Sequence, residues 1–344
     1  MIHTSLIWMQ FALCATLIGL AGYQLSFQGD VIARRTGLSG NWIGLALLAT
    51  VTSLPELATG ISSVTVANAP NLAVGDALGS CVVNLVFLVV IDFFFRKEPV
   101  WQRAAQGHLL AASFGVVMLG VVLAGLLVSQ LSTGQTSGLA ATAAQWGFSL
   151  VTPVLLVLYL VAMRTVFAYE RDHAAPNNDP SDDTSPSLRS AATRFALAAA
   201  VVAAAGVWLP FVATDLAQAM GWNKSFVGSL FVAMATSLPE LAVTLSALRM
   251  GALDMAIGNL LGSNLFNVLI IAIDDLCYHP GVLLAEVSAV HAVTVASAIT
   301  MTGLAMVGLF FKPGSRVLRA VNWVSLGLIA MYSLNTWVLF LHGE

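Results

Sequence analysis

Charge is what this sequence has least of. Of 344 residues only 14 are Lys or Arg and 17 are Asp or Glu, 9% in all, while 58% are hydrophobic and the mean hydropathy is +0.87. A soluble domain carries about a quarter charged residues, so this chain cannot cover itself with a water-facing surface. It reads as an integral membrane protein with nearly all of its mass in lipid. The net charge of −3 says little, because the distribution of charge matters more, and no nucleic-acid partner is expected. Cysteine is scarce too: Cys14, Cys81 and Cys277 lie scattered in apolar segments, which excludes a disulfide framework and a thiolate metal cluster. The first apolar run has no basic leader and no A-x-A site, so it is expected to be a span and not a cleaved signal. The spans show no nucleophile–base pair and no His-metal spacing. That argues against an embedded enzyme, and no cofactor is expected.

What is present is long apolar runs, one of them interrupted by Thr52-Ser53-Leu54-Pro55-Glu56. The run from about 43 to 67 is long enough to cross a bilayer. A carboxylate inside such a run is costly and marks a functional site by default. Pro55 has no N–H and leaves the carbonyl of Val51 without its helical donor. The same five letters return as Thr236-Ser237-Leu238-Pro239-Glu240.

Ten spans are expected, at about 5–26, 40–67, 72–95, 106–129, 141–168, 191–217, 225–249, 254–275, 286–311 and 318–341. Loops after odd-numbered spans hold all the Lys and Arg except Lys224. The positive-inside bias then places both termini outside and the stretch between spans five and six in the cytoplasm. That stretch, with Asp179-Pro180-Ser181-Asp182-Asp183, has the composition of a solvated tether. The chain divides into a first five-span half (1–168), an acidic cytoplasmic linker (169–190) and a second five-span half (191–344). Short loops and the lack of a transit peptide point to a plasma (cytoplasmic) membrane.

The halves match. Gly37-Leu38-Ser39-Gly40-Asn41-Trp42-Ile43-Gly44 corresponds to Gly221-Trp222-Asn223-Lys224-Ser225-Phe226-Val227-Gly228, at an offset of 184. Gly75-Asp76-Ala77-Leu78-Gly79-Ser80-Cys81-Val82-Val83-Asn84 corresponds to Gly258-Asn259-Leu260-Leu261-Gly262-Ser263-Asn264-Leu265-Phe266-Asn267, at an offset of 183. Five spans per half is odd, so the halves are expected upside down relative to each other, an inverted-topology repeat.

Residues four apart share a helix face. Thr52 with Glu56, Thr236 with Glu240, Ser80 with Asn84 and Ser263 with Asn267 therefore form four polar stripes. The glycines at 75, 79, 258 and 262 permit close helix approach between them. Every group in this set presents oxygen, which hard cations such as calcium prefer and softer metals do not.

The doubled T-S-L-P-E-L block, each followed by G-(N/D)-x-x-G-S, resembles the paired alpha repeats of the sodium/calcium exchanger family within the cation/calcium antiporter superfamily. The resemblance covers both repeats. It implies antiport by alternating access, with the first and sixth spans sliding across a fixed core. The implied ion ligands are Thr52, Ser53, Glu56, Ser80, Asn84, Thr236, Ser237, Glu240, Ser263 and Asn267. The partners are then inorganic cations and the lipid bilayer, and the cargo is Ca2+ and Na+, with H+ as a further candidate. The sequence departs from the family at Val51 and Ala235 (usually Gly), Cys81 (usually Asn), Asp76 (usually Asn) and Asn267 (often Asp). Glu56 and Glu240 are left as the secure core carboxylates, whose two charges balance one Ca2+, two Na+ or two protons.

The expected function is exchange of Na+ for Ca2+, coupled because both ions compete for one core that moves only when its carboxylates are neutralised. Ca2+/H+ or Na+/H+ exchange by the same glutamates is the alternative, since a buried carboxyl can carry a proton. A non-transporting scaffold is a third reading. Blander roles also stand: Thr and Ser bonding back to their own helix, Asn84 and Asn267 as interhelical bonds, and His291 as a packing residue. Asp254 is expected to cap the eighth span. Asp92, Asp274 and Asp275 are expected at a mouth or interface. Asp76 reads equally as a third charge or a helix cap, and the tryptophans as an interfacial belt.

Overall fold

The computed structural model describes residues 2–35, 48–94, 100–131, 147–173, 187–249, 251–314 and 321–342. Its elements are helices: α1 (Ile2–Arg35), a short α2a (48–52) and α2b (Leu54–Thr65), α3 (Pro70–Phe94), α4 (His108–Leu131), α5 (Val151–His173), α6 (Leu188–Met220), α7a (Lys224–Thr236), α7b (Leu238–Arg249), α8 (Leu253–Cys277), α9 (His291–Phe311) and α10 (Trp323–His342). Eight of them are long and apolar enough to cross a membrane, and α7a with α7b, meeting at 44°, makes a ninth. The start of the expected second span, with Gly37 to Gly44, lies outside the described residues, as do 174–186 of the expected linker.

The rest of that linker is helical. Residues to His173 extend α5, and α6 begins at Leu188, where Ser187 accepts a hydrogen bond from the Ser190 N–H at 3.4 Å. The ninth span also starts later than 286. A separate turn, Leu283–Glu286, ends in extended backbone at Val287 before His291 opens α9.

Both proline-containing segments break one residue before Leu-Pro. Ser53 (φ −90°, ψ 12°) and Ser237 (φ −82°, ψ 6°) sit in the bridge region between half-helices. Pro55 lies in the first turn of α2b, where its missing N–H costs nothing to the new helix. No periodicity in the sequence marks the π-turn Gly228–Val232 inside α7a. It lies where α3 comes closest. A Cβ on Gly79 would stand 2.6 Å from the Ser229 Cα, and one on Gly75 3.2 Å from the Gly228 Cα. Absent side chains let the two backbones meet.

α3 and α8 form the centre: 78% and 89% of their span residues are buried, against 22% for α1 and 17% for α5. α8 lies beside α2 and runs in the same direction, since Gly262 faces Ala49, Ser263 faces Thr52 and Asp274 faces Gly60. The short turn from Thr65 to Pro70 sends α3 back the other way. α1 and α6 pack on each other and across the breaks. Gly22 of α1 rides on Pro239, and Gly206 of α6 rides on Ala58 and Thr59. The aromatic belt is partial. Trp337 is exposed, but Trp101 is buried against Gly308, and Trp222 stacks on Phe231 within a cluster that includes Trp8.

Candidate functional site

The two breaks face each other. Ser53 Oγ donates to Glu240 Oε1 at 2.8 Å, and Ser237 Oγ donates to Glu56 Oε1 at 3.0 Å. Each half therefore orients the carboxylate of the other. The i, i+4 spacing puts Thr52 and Thr236 on the same faces. Thr52 Oγ1 and Ser263 Oγ share a hydrogen bond at 3.3 Å, and both hydroxyls reach the Ala49 carbonyl, at 3.1 and 3.4 Å. Thr236 Oγ1 donates to Asp76 Oδ1 at 2.8 Å and also lies near its own helix carbonyls at Val232 and Ala233. The back-bonding reading of the threonines thus holds for part of their geometry, and each also makes a contact across the halves.

Asp76 is the residue that sequence reasoning left undecided. It is not a helix cap. It is buried within α3, bound to Thr236, and within electrostatic reach of Glu56 and Glu240. Its position four residues before Ser80, on the same stripe, was the available signal. Its counterpart at the 183 offset, Asn259, is equally buried, and both of its amide atoms lack partners.

α3 and α8 cross at Cys81 and Asn264, again counterparts at 183. Asn264 Nδ2 donates to the Cys81 carbonyl at 3.1 Å, and Cys81 Sγ approaches the Asn264 carbonyl at 3.7 Å. Asn84 Nδ2 donates to Asn264 Oδ1 at 3.1 Å. Asn84 is therefore an interhelical tie through its amide nitrogen, while its carbonyl oxygen is left unpartnered. Ser80 lies beside the Asp76 carboxylate, short of full hydrogen-bond geometry, and neither amide atom of Asn267 has a partner among the described residues.

All ten sequence-predicted ligands are fully buried. Among them and Asp76, Glu56 Oε2, Glu240 Oε2, Asp76 Oδ2, Ser80 Oγ, Asn84 Oδ1 and Asn267 Oδ1 have no hydrogen-bond partner among the described residues. Native interiors leave only a few such atoms per hundred residues, and each needs an explanation. Six of these atoms are oxygens, and the Asn267 amide nitrogen is unpartnered beside them. No group of three or more His, Cys, Asp or Glu side chains among the described residues forms a metal cluster by itself. A cation held here would need hydroxyl and amide oxygens beside the carboxylates.

Three other acidic residues, with Asn71, prove structural and form two reciprocal pairs. Asp92 accepts from the Asn322 N–H at 2.7 Å and from Ser325 Oγ at 2.6 Å, capping α10. Its counterpart Asp275 accepts from the Ser149 N–H at 2.6 Å, from Thr152 Oγ1 at the start of α5, and from the Leu283 N–H at 2.8 Å. Asp254 does not cap its own helix. It accepts from the Ala105 N–H at 2.8 Å and lies 3.0 Å from His108 Nε2, holding the start of α4. Asn71, its counterpart, does the same for α9 through the Ser288 N–H at 2.7 Å and His291 Nε2 at 3.1 Å. His291 is thus a buried packing residue at the head of α9.

Comparison with known proteins gives a consistent result. The chain matches the sodium/calcium exchanger protein family over residues 6–165 and 190–341. It is 30% identical over 260 residues to the putative antiporter CaxA of Alkalimonas amylolytica, covering 73% of this chain and 74% of that one. In fold it is similar to the H+/Ca2+ exchanger CAX (TM-score 0.70, 15% identity, 98% of this chain and 82% of that one). It is also similar to the sodium-calcium exchanger NCX_Mj (TM-score 0.60, 23% identity, 98% and 99%).

Proposed function

We propose that this chain, which belongs to the sodium/calcium exchanger protein family, exchanges Na+ for Ca2+ across a membrane by alternating access. Members of this family are cation antiporters, not enzymes. The observation that carries the reading is the crossed pair Ser53–Glu240 and Ser237–Glu56, ringed by unpartnered buried oxygens. A hydroxyl that donates its hydrogen to a carboxylate keeps its lone pairs free. Each serine can therefore orient the opposite glutamate and still offer oxygen to an ion. Carboxylates buried this deeply need neutralising partners. An ion that fills the core supplies them, so Na+ and Ca2+ exclude one another and their fluxes couple.

In this reading the ligands are Thr52, Ser53, Glu56, Ser80, Asn84, Thr236, Ser237, Glu240, Ser263 and Asn267, with Asp76 added as a third carboxylate. The fold is ten spans in two inverted halves, 1–168 and 191–344, joined by the linker. The opposite directions of α3 and α8 and the reciprocal caps support this. Both termini lie outside and the linker is cytoplasmic, on the basic-residue bias. α1 and α6 are the moving pair, and Gly22 and Gly206 give them smooth tracks over the breaks.

Ca2+/H+ exchange is the second reading. It is favoured by the oxygens Glu56 Oε2 and Glu240 Oε2, which make no well-formed hydrogen bond among the described residues and so leave room for a proton. Calcium uptake into tight proteoliposomes separates the two. One set carries an outward Na+ gradient with pH equal on both sides. The other carries an outward proton gradient without sodium. Uptake with sodium alone is the expected result. Uptake with protons alone moves the protein to the second reading, and uptake in neither rejects calcium antiport.

A further inference from the structure

The core site does not account for Asp274. This carboxylate lies near the end of α8, fully buried, with neither oxygen hydrogen-bonded among the described residues. Its charged neighbours among the described residues are the acidic Asp76 and Asp275. Its neighbour Asp275 is satisfied by three donors, so an aspartate here can be capped, and Asp274 is not. A buried carboxylate without donor or countercharge is costly unless something binds it.

The surroundings are built for access. The carboxylate rests on Gly60 of α2b, where a Cβ would stand 2.5 Å from Oδ2 and 2.7 Å from Oδ1. Glu56, Gly60 and Ser63 recur at helical spacing on one face of α2b, and Ser263, Asn267 and Asp274 do so on α8. Ser63 Oγ and both amide atoms of Asn267 are buried and unpartnered. Asp274 lies eleven residues beyond Ser263, about 16 Å along the axis. Cys277, one turn further, is already partly exposed. A line of oxygens thus leads from the core to one end of the α2–α8 pair.

The internal symmetry shows that the fold does not require this line. The counterparts of Ser63 and Asp274 in the other half are Ala247 and Ile91, both apolar and fully buried. Thr244 stands at the position equivalent to Gly60, so that half has no glycine there to seat a carboxylate.

We propose that Asp274, with Ser63 and Asn267, forms a second cation site, a transit position between the core and one membrane face only. The site rests on the antiport reading for its cargo. On the basic-residue orientation, the face is the outer one. One carboxylate with neutral oxygens suits weak, rapidly exchanging binding of Ca2+ or Na+, unlike the several carboxylates of the core.

Equilibrium binding of radioactive Ca2+ to the purified full-length protein tests this without needing transport. The wild type should show a tight and a weak class. E56Q/E240Q should lose the tight class and keep the weak one. D274N should keep the tight class and lose the weak one, and G60A should weaken the weak class several-fold. D274N should also raise the half-saturating Ca2+ concentration of exchange several-fold at one face and leave the other unchanged. A single class in the wild type, or a D274N isotherm identical to it, overturns the site. So does retained Ca2+ binding with altered proton release, which would make Asp274 a proton carrier. If the wild type exchanges nothing, the antiport reading falls, and the isotherm still decides the site.

Discussion

The hydroxyl of Ser53 holds the carboxylate of Glu240 at 2.8 Å across 187 residues of sequence. Ser237 returns the bond to Glu56 at 3.0 Å. Neither half of the chain is complete at its own break. The carboxylate contributed by one Leu-Pro-Glu turn is aimed by the serine that begins the other. The two serines sit in the bridge region because proline forbids a continuous helix there, so the break and the cross-bond have one cause.

Glu56→Gln and Glu240→Gln should each abolish calcium uptake while leaving the protein folded. An amide keeps the shape and removes a buried charge that no basic residue balances among the described residues, so thermal stability in ion-free buffer should hold or rise. Ser53→Ala and Ser237→Ala remove hydroxyls that aim the glutamates and also offer oxygen to the ion, and should cost about 10- to 100-fold or more in apparent Ca2+ affinity. Robust uptake by either glutamine variant would sink the shared-core mechanism.

Asp275→Ala and Asp92→Ala should each destabilise the protein by about 2 kcal/mol or more, because each orphans backbone or hydroxyl donors at a helix start in the opposite half. Asp275, with three donors, should cost more than Asp92, with two. Thermal unfolding in detergent reads both. Calcium affinity measured on the folded fraction should stay at the wild-type value.

The core was legible because its chemistry is local and doubled: threonine, serine, proline and glutamate within five residues, met twice in apolar runs. The caps were not legible. Asp92, Asp275 and Asp254 each satisfy a helix start that is remote in sequence, so no nearby pattern pairs them, and Asp254 read as a cap for its own α8. The π-turn at Gly228–Val232 lies where Gly75 and Gly79 of α3 meet α7a, a tertiary contact that no periodicity encodes. Asp76 was ambiguous because a stripe position and a helix start coincide near it. Its bond to Thr236 comes from the other half.

Gly22→Ala should slow exchange and spare binding. A methyl group there would overlap the ring of Pro239, which α1 must pass if it slides across the core. Gly206→Ala, its counterpart at the 184 offset, would stand 2.8 Å from the Ala58 Cβ and should act in the same direction more mildly. The check is a split reading, with maximal uptake rate reduced and equilibrium Ca2+ binding unchanged. Loss of both together would mean that the glycines serve packing alone.

If Asp76 belongs to the ion-binding core, it changes the charge of that core, and with it what exchange does to the membrane potential. With Glu56 and Glu240 alone, two Na+ balance the site as well as one Ca2+ does, and the cycle is electroneutral. With Asp76 bound to Thr236 in the same cluster, a third monovalent cation has a partner. The sodium-loaded and calcium-loaded forms then differ by one charge. Wild-type calcium uptake against sodium should therefore speed up when a potassium gradient with valinomycin makes the vesicle interior positive, since net positive charge leaves with each cycle. Asp76→Asn should still exchange, and its uptake should be insensitive to the imposed potential. Equal potential dependence in both proteins would place Asp76 outside the transported charge and return it to a purely positional role beside Thr236.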